Sequence, residues 1–405
     1  MNNTQHPYSW NSKRSLSRAG TSPALAAVLA LIGTAHSARA QTQTTVETFD
    51  GANGAYPYAG LIQATDGNFY GTTYGGGAHE GGTVYRVTPG GVATTLYSFC
   101  SQANCTDGTQ PTAGLVQASD GDFYGTTYAG GASGRGTVFK VTANGTLTTL
   151  HSFAGRDGAY PYAGLIQAAN GDLYGTALGG GTGGHGVVFR ITRSGTLTTV
   201  HSFNVTDGAA PYGGLVQATN GNLYGTTYGG GANSVGTVFM IAGGTLTTLH
   251  SFDDTDGAYP AAGLVQAADG NLFGTTFAGG ASAVGTVFYM TPGGALTTLH
   301  SFDASDGAHS RAGLIQASDG NLYGTTLGGG ELEYGTIFRI TEGGALTTLH
   351  DSCSLFLCAD GALTYGALIQ ATNGQLYGTT RLGGAKDDNE VDLGTVFSLS
   401  VGLVP

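Results

Sequence analysis

Residues 164–203 read GLIQAANGDLYGTALGGGTGGHGVVFRITRSGTLTTVHSF. Four runs of β-branched, aromatic and aliphatic residues stand out: Leu165–Ala168, Leu173–Thr176, Val187–Ile191 and Leu197–Phe203. Asn170-Gly171 separates the first two, a strong hairpin signal because both residues tolerate positive φ. The Gly-rich segment 179–186 leads into the third run, and Ser194-Gly195 turns the chain into the fourth. This alternation of strand formers and turn formers predicts a four-stranded antiparallel sheet.

The same unit recurs along the chain. The Leu of its G-L-[IV]-Q-A motif falls at 61, 115, 165, 215, 264 and 314, and a variant motif places it at 368. The spacings are 54, 50, 50, 49, 50 and 54. Each 54 contains a C-x4-C pair, Cys100/Cys105 or Cys353/Cys358, so disulfide loops read as insertions into a 50-residue unit. Four strands per unit and seven units predict an all-β, seven-bladed β-propeller. The seventh unit stops after its third strand, Gly394–Leu399. Thr44–Phe49 matches the missing fourth, so the N-terminal strand is expected to complete the last blade and close the ring, which removes two exposed edges. The first strand of each unit then lines the channel.

Composition bounds the rest. Of 405 residues, 73 are Gly and only 10% are charged, against about 25% in an average soluble domain. The hydrophobic fraction of 40% argues against disorder. The net charge of -12 leaves no basic face for a phosphate backbone, so nucleic acid is not an expected partner. Lys13, Arg14 and Arg18 precede an apolar run, Pro23–Ile32, and Ala38-Arg39-Ala40 supplies small residues for cleavage. Residues 1–40 therefore read as a secretory signal cleaved after Ala40, and 41–405 as one propeller domain. The apolar run is short for a membrane span. Export makes the two disulfides chemically reasonable. A zinc site needs four converging ligands at the usual spacings, which a C-x4-C pair does not supply, so zinc is not expected.

Units such as Gly214–Gly231, followed by Gly236-Thr-Val-Phe239, resemble the GloVer repeat of exported bacterial choice-of-anchor tandem-repeat proteins. The resemblance covers residues 44–400. It implies an exported repeat protein, often with a C-terminal sorting signal, and brings no established activity. This chain ends Val401–Pro405 without an apolar anchor or basic tail. A weaker likeness, carried by the Asp-Gly-Asn-Leu-Tyr hairpins, points to NHL-type propellers and streptogramin lyases.

Strand direction sorts the loops. The 2–3 loops and the 4–1 connections between blades open on one face, and they are the longer and more variable set, where ligand sites concentrate. The connections repeat Asp-Gly at Asp107, Asp157, Asp207, Asp256, Asp306 and Asp360, with Asn53 in the first. Turn chemistry accounts for these carboxylates; Ca2+ is the one ion they could suit, and no cofactor is expected. Tyr56, Tyr58, Tyr160, Tyr162, Tyr212 and Tyr259 follow in the same segments, placed either for packing between blades or for stacking on sugars. His151, His201, His250, His300 and His350 share a fourth-strand register with Tyr97 and Glu47. Three strand spacings set that strand about 14 Å outside the first, too far apart for a shared metal. Gln63 and its six equivalents are read as a polar ladder. No phosphate loop, nucleophile elbow or zinc-protease motif occurs.

Departures from the repeat cluster on blades 6, 7 and 1. They are His309 and Arg311 in the connection into blade 6, and Glu331, Glu333 and Tyr334 in its loop. Arg381, Lys386, Asp387 and Asp388 lie in blade 7, and His79 and Glu80 in blade 1. Together with Tyr56 and Tyr58 these form the expected ligand surface. The leading expectation is an exported, monomeric, non-catalytic propeller that binds a glycan or a protein through this face. An enzyme, a lyase or hydrolase acting on a polysaccharide or lactone, would draw on His309, Arg311, Glu331 and Glu333. A structural envelope protein is the third reading.

Overall fold

A computed structural model describes residues 41–384 and 393–404. The signal-peptide reading of 1–40 and the residues Lys386, Asp387 and Asp388 lie outside the described residues. Seven four-stranded antiparallel sheets form in sequence order, and the protein is an all-β, seven-bladed propeller. In blade 3 the strands are Ile166–Gln167, Leu173–Ala177, Val187–Ile191 and Leu197–Ser202. The innermost strand is only two residues long in every blade. Blade 7 is closed by Thr42–Thr48, which pairs antiparallel with Thr395–Ser400 at the outer edge. The expected closure therefore holds.

The core lies between the blades. Tyr124, Val138 and Phe153 of blade 2 pack on Leu165, Leu173, Phe189 and Ile191 of blade 3. A glycine in the second strand makes room for the aromatic ring of the third. At Gly175 a Cβ would stand 2.7 Å from both Leu165 Cδ2 and Phe189 Cζ. Any side chain there would overpack the blade.

The expected Gln ladder is a closed ring of amides. In each blade the Oε1 of the Gln accepts a backbone N–H from the 1–2 turn of the blade before it. Gln117 accepts from Thr65 at 2.9 Å and Gln217 from Ala169 at 2.8 Å, and Gln63 closes the circle by accepting from Thr372 at 2.9 Å. The Nε2 of Gln63 donates to its own turn, to the Gly67 carbonyl, so both ends of the amide are satisfied. Both disulfides, Cys100–Cys105 and Cys353–Cys358, are formed.

Candidate binding face at the channel mouth

Repeated local devices fix the loop face. The fourth strand carries a bulge in every blade, as between Val188 and Phe189, where Val200 is left unpaired. The extra residue re-aims the next side chain, and His201 thereby reaches the Asp of the following connection. The pairs are His151–Asp157 at 2.7 Å, His201–Asp207 at 2.9 Å, His250–Asp256 and His300–Asp306 at 2.6 Å, and His350–Asp360 at 3.1 Å. Tyr97 donates to Asp107 at 2.8 Å in the same role. At the closure the partners change places: Asn53 Nδ2 donates to Glu47 Oε1 at 3.1 Å. The other carboxylate oxygen caps the turn, as where Asp157 Oδ1 accepts from Ala154 N. Burial opposes ionisation of Asp360, but His350, the Ser354 hydroxyl and the N–H groups of Leu355 and Ser354 outweigh it and hold its pKa at about 2.

Each connection then bridges the 2–3 loop of its own blade, as Ala159 does to Gly179. It also donates an N–H to the loop of the blade before, as Tyr160 does to Arg135 at 2.8 Å. That double attachment forces positive φ at Tyr56, Gln110, Tyr160, Ala210, Tyr259, His309 and Leu363, between 52° and 58°. Bulky residues in this region are strained. Four of the seven nevertheless carry an aromatic ring, and those of Tyr160, Tyr259 and His309 pack on the aromatic residue that follows the second strand of the blade before.

Two residues further on, beside the innermost strand, come Tyr58, Thr112, Tyr162, Tyr212, Ala261, Arg311 and Tyr365. These converge at the channel mouth. Tyr58 meets Tyr365 at 4.9 Å and Tyr74 at 5.1 Å between ring centres, and Tyr162 meets Tyr212 at 4.9 Å. Tyr212, Tyr228 and Tyr259 continue the chain of contacts at 5.0 Å each. Arg311 lies 4.7 Å from the Phe277 ring and 5.8 Å from Tyr365. Arg381 lies 5.3 Å from Tyr58 and 5.8 Å from Tyr56 and Tyr365. Burial raises the Tyr58 hydroxyl above its usual pKa, and the Arg381 guanidinium offsets only part of this. Burial likewise raises Tyr162, again against the opposing pull of Arg311. These hydroxyls are donors throughout the neutral range. Two clefts open on the same face. One of about 380 Å3 is lined by Tyr56, Tyr74, Glu80 and Gln110, and one of about 520 Å3 by Glu331, Leu332, His350 and Asp351.

The face thus brings together Tyr56, Tyr58, His309, Arg311 and Arg381. His309 stacks on Phe277 at 4.7 Å, and its Nδ1 lies 3.0 Å from the Phe277 carbonyl, which can only accept. The remaining residues stand toward the rim. Glu331, Glu333 and Tyr334 are exposed on the blade 6 loop, with Glu331 N held by Asp351 Oδ1, and His79 and Glu80 are exposed on the blade 1 loop. No ion pair joins Arg311 to Glu331 or Glu333 among the described residues. Nor do the described residues contain a cluster of three His, Cys, Asp or Glu side chains able to hold a metal. Sequence reading passed over Tyr74, Tyr128, Tyr228 and Phe277. Their signal was the position after Gly-Thr-Thr in the second strand, which is aromatic in four blades.

The Gloeobacter/Verrucomicrobia repeat matches residues 32–239 and 196–397. No curated protein matches the chain in sequence. Among solved structures, the chain is similar to the extracellular domain of a provisionally named hybrid two-component system from B. thetaiotaomicron. Identity there is 11% and the TM-score 0.57, over 89% of this chain and 39% of that one. It is also similar to a provisionally named 6-phosphogluconolactonase from Bacteroides fragilis. Identity is 17% and the TM-score 0.52, over 84% and 98% of the two chains. At these identities the likeness is one of fold.

Proposed function

The chain belongs to the Gloeobacter/Verrucomicrobia repeat family, and from that premise we propose that it is an exported, non-catalytic glycan-binding propeller. The leader, residues 1–40, would be cleaved after Ala40, and the two disulfides suit an oxidising compartment. One observation carries the binding reading: the connection tyrosines take part in two runs of touching rings at the channel mouth, Tyr365–Tyr58–Tyr74 and Tyr162–Tyr212–Tyr228–Tyr259, while remaining partly exposed. Flat aromatic faces with hydroxyl donors at their edge suit sugar rings, whose C–H faces stack and whose hydroxyls need hydrogen-bond partners. The patch centres on blades 6, 7 and 1. Tyr56, Tyr58, His309, Arg311 and Arg381 form its floor, and His79, Glu80, Glu331 and Tyr334 its rim.

The test is retention of residues 41–405 by immobilised polysaccharides, with mass spectrometry of the eluate. Retention by at least one polysaccharide without new products supports the reading. New products would make the protein an enzyme, and no retention on any polysaccharide would remove the glycan reading.

A further inference from the structure

We propose that Arg311 and Arg381 form a carboxylate-recognition subsite, so that the glycan is an anionic one carrying uronic-acid-type sugars. This rests on the glycan reading above and narrows it. The observation behind it is how the basic residues are distributed over the two faces. Arg86, Lys140, Arg190 and Arg339 share one register of the third strand, and each faces an acid at its own 1–2 turn. Lys140 pairs with Asp122 at 2.9 Å and Arg190 with Asp172 at 3.6 Å, while Arg86 and Arg339 act on Asp66 and Asp319. At the face opposite the mouth, then, two of the cations are ion-paired and the other two lie within electrostatic reach of an acid.

Arg311 and Arg381 are different. Their neighbours are aromatic rings, and neither forms an ion pair with a carboxylate among the described residues. The Nε of each is buried without a hydrogen-bond partner, as are those of Arg86, Arg190 and Arg339, so it is the missing carboxylate neighbour that sets these two apart. Both guanidinium carbons lie 5.8 Å from the centre of the Tyr365 ring. The fold does not require them. The Arg311 position is Tyr, Thr or Ala in the other blades, and the Arg381 position is Tyr, Phe or Leu. Cation–π contact compensates only part of the lost hydration of a guanidinium. An external carboxylate would complete it, since the planar fork matches a carboxylate bidentately. A sugar ring bearing that carboxylate would then lie against the adjoining tyrosines.

The experiment measures binding of residues 41–405 to polygalacturonate, alginate and hyaluronate, each beside its methyl-esterified form, by calorimetry at low and high salt. Dextran sulfate and neutral pullulan complete the panel. At least one free acid should bind tenfold or more tighter than its ester, with the difference shrinking in salt. The double variant Arg311→Gln/Arg381→Gln should bring its affinity for the acid down to its own affinity for the ester, and Arg381→Lys should keep part of the difference. Circular dichroism and an unchanged unfolding midpoint establish that the variants are folded. Equal affinity for acid and ester, an undiminished preference in the double variant, or preference for dextran sulfate over every carboxylated polymer would overturn the proposal. If pullulan or the esters bind and the acids gain nothing, the glycan reading stands and this one falls. If no polysaccharide binds, both fall.

Discussion

The exchanged pair at the ring closure gives a sharp prediction. In the regular blades an imidazole or phenol in the fourth strand holds an Asp in the connection, but at the closure Glu47 accepts from Asn53 at 3.1 Å. Asn53→Asp alone would place two carboxylates at that contact. At an effective dielectric of 20 and 4 Å the repulsion is about 4 kcal/mol; partial exposure reduces this to about 1–2 kcal/mol. Glu47→His alone leaves an imidazole facing an amide, at a cost of about 1 kcal/mol for the lost hydrogen bond. The double change Glu47→His/Asn53→Asp rebuilds the pair of blades 2 to 6. A coupling energy of about 2–3 kcal/mol should therefore appear in a double-mutant cycle read by urea unfolding at pH 7. Burial, and then Asp50, already raise the Glu47 pKa, and a second acid at 53 would raise it further. The Asn53→Asp penalty is thus present above that folded pKa and relieved as pH falls below it. Coupling under about 0.5 kcal/mol would refute the view that the clasp is one device with interchangeable partners.

Three further outcomes follow from the same contacts. Asp360 has a folded pKa of about 2 against an ordinary value of 3.8, so its stabilisation is full above the ordinary value and is lost as pH falls through the folded one. Asp360→Asn should remove about 2 kcal/mol at pH 7 and flatten the unfolding midpoint between those two pH values. Gln217→Ala deprives the exposed Ala169 N–H of its acceptor and should cost about 0.5–1 kcal/mol in urea unfolding, without changing the circular dichroism spectrum. Deleting residues 41–48 bares the edge of Thr395–Ser400, and light scattering should then show more self-association than the full domain gives under the same conditions.

The fold was legible because each blade repeats its own local signals. The Asn-Gly or Asp-Gly turn, the Leu-[Ile/Val]-Gln-Ala strand and the Gly-Thr-Thr strand needed no knowledge of distant contacts. The Gln ladder was legible for the same reason, since one register recurs seven times. The pairing of His with Asp was less visible. The two registers were plain, but the side chain of His201 reaches Asp207 only because a bulge re-aims it, and no residue type marks that bulge. The mouth was legible in part. His309, Arg311 and Arg381 stood out as departures from the repeat, and Tyr56 and Tyr58 belonged to the recurring connection tyrosines. That Arg311 and Arg381, seventy positions apart, share the ring of Tyr365 is set by the geometry of the closed ring.

The central claim is that a glycan binds at the channel mouth. Amide hydrogen exchange of residues 41–405, with and without a saturating oligosaccharide from whichever polysaccharide retains the protein, tests it most directly. The account predicts slowed exchange in residues 56–60, 309–314 and 363–368, with the 1–2 turns on the opposite face unchanged. Protection confined to those turns, or none anywhere on the loop face, would contradict it.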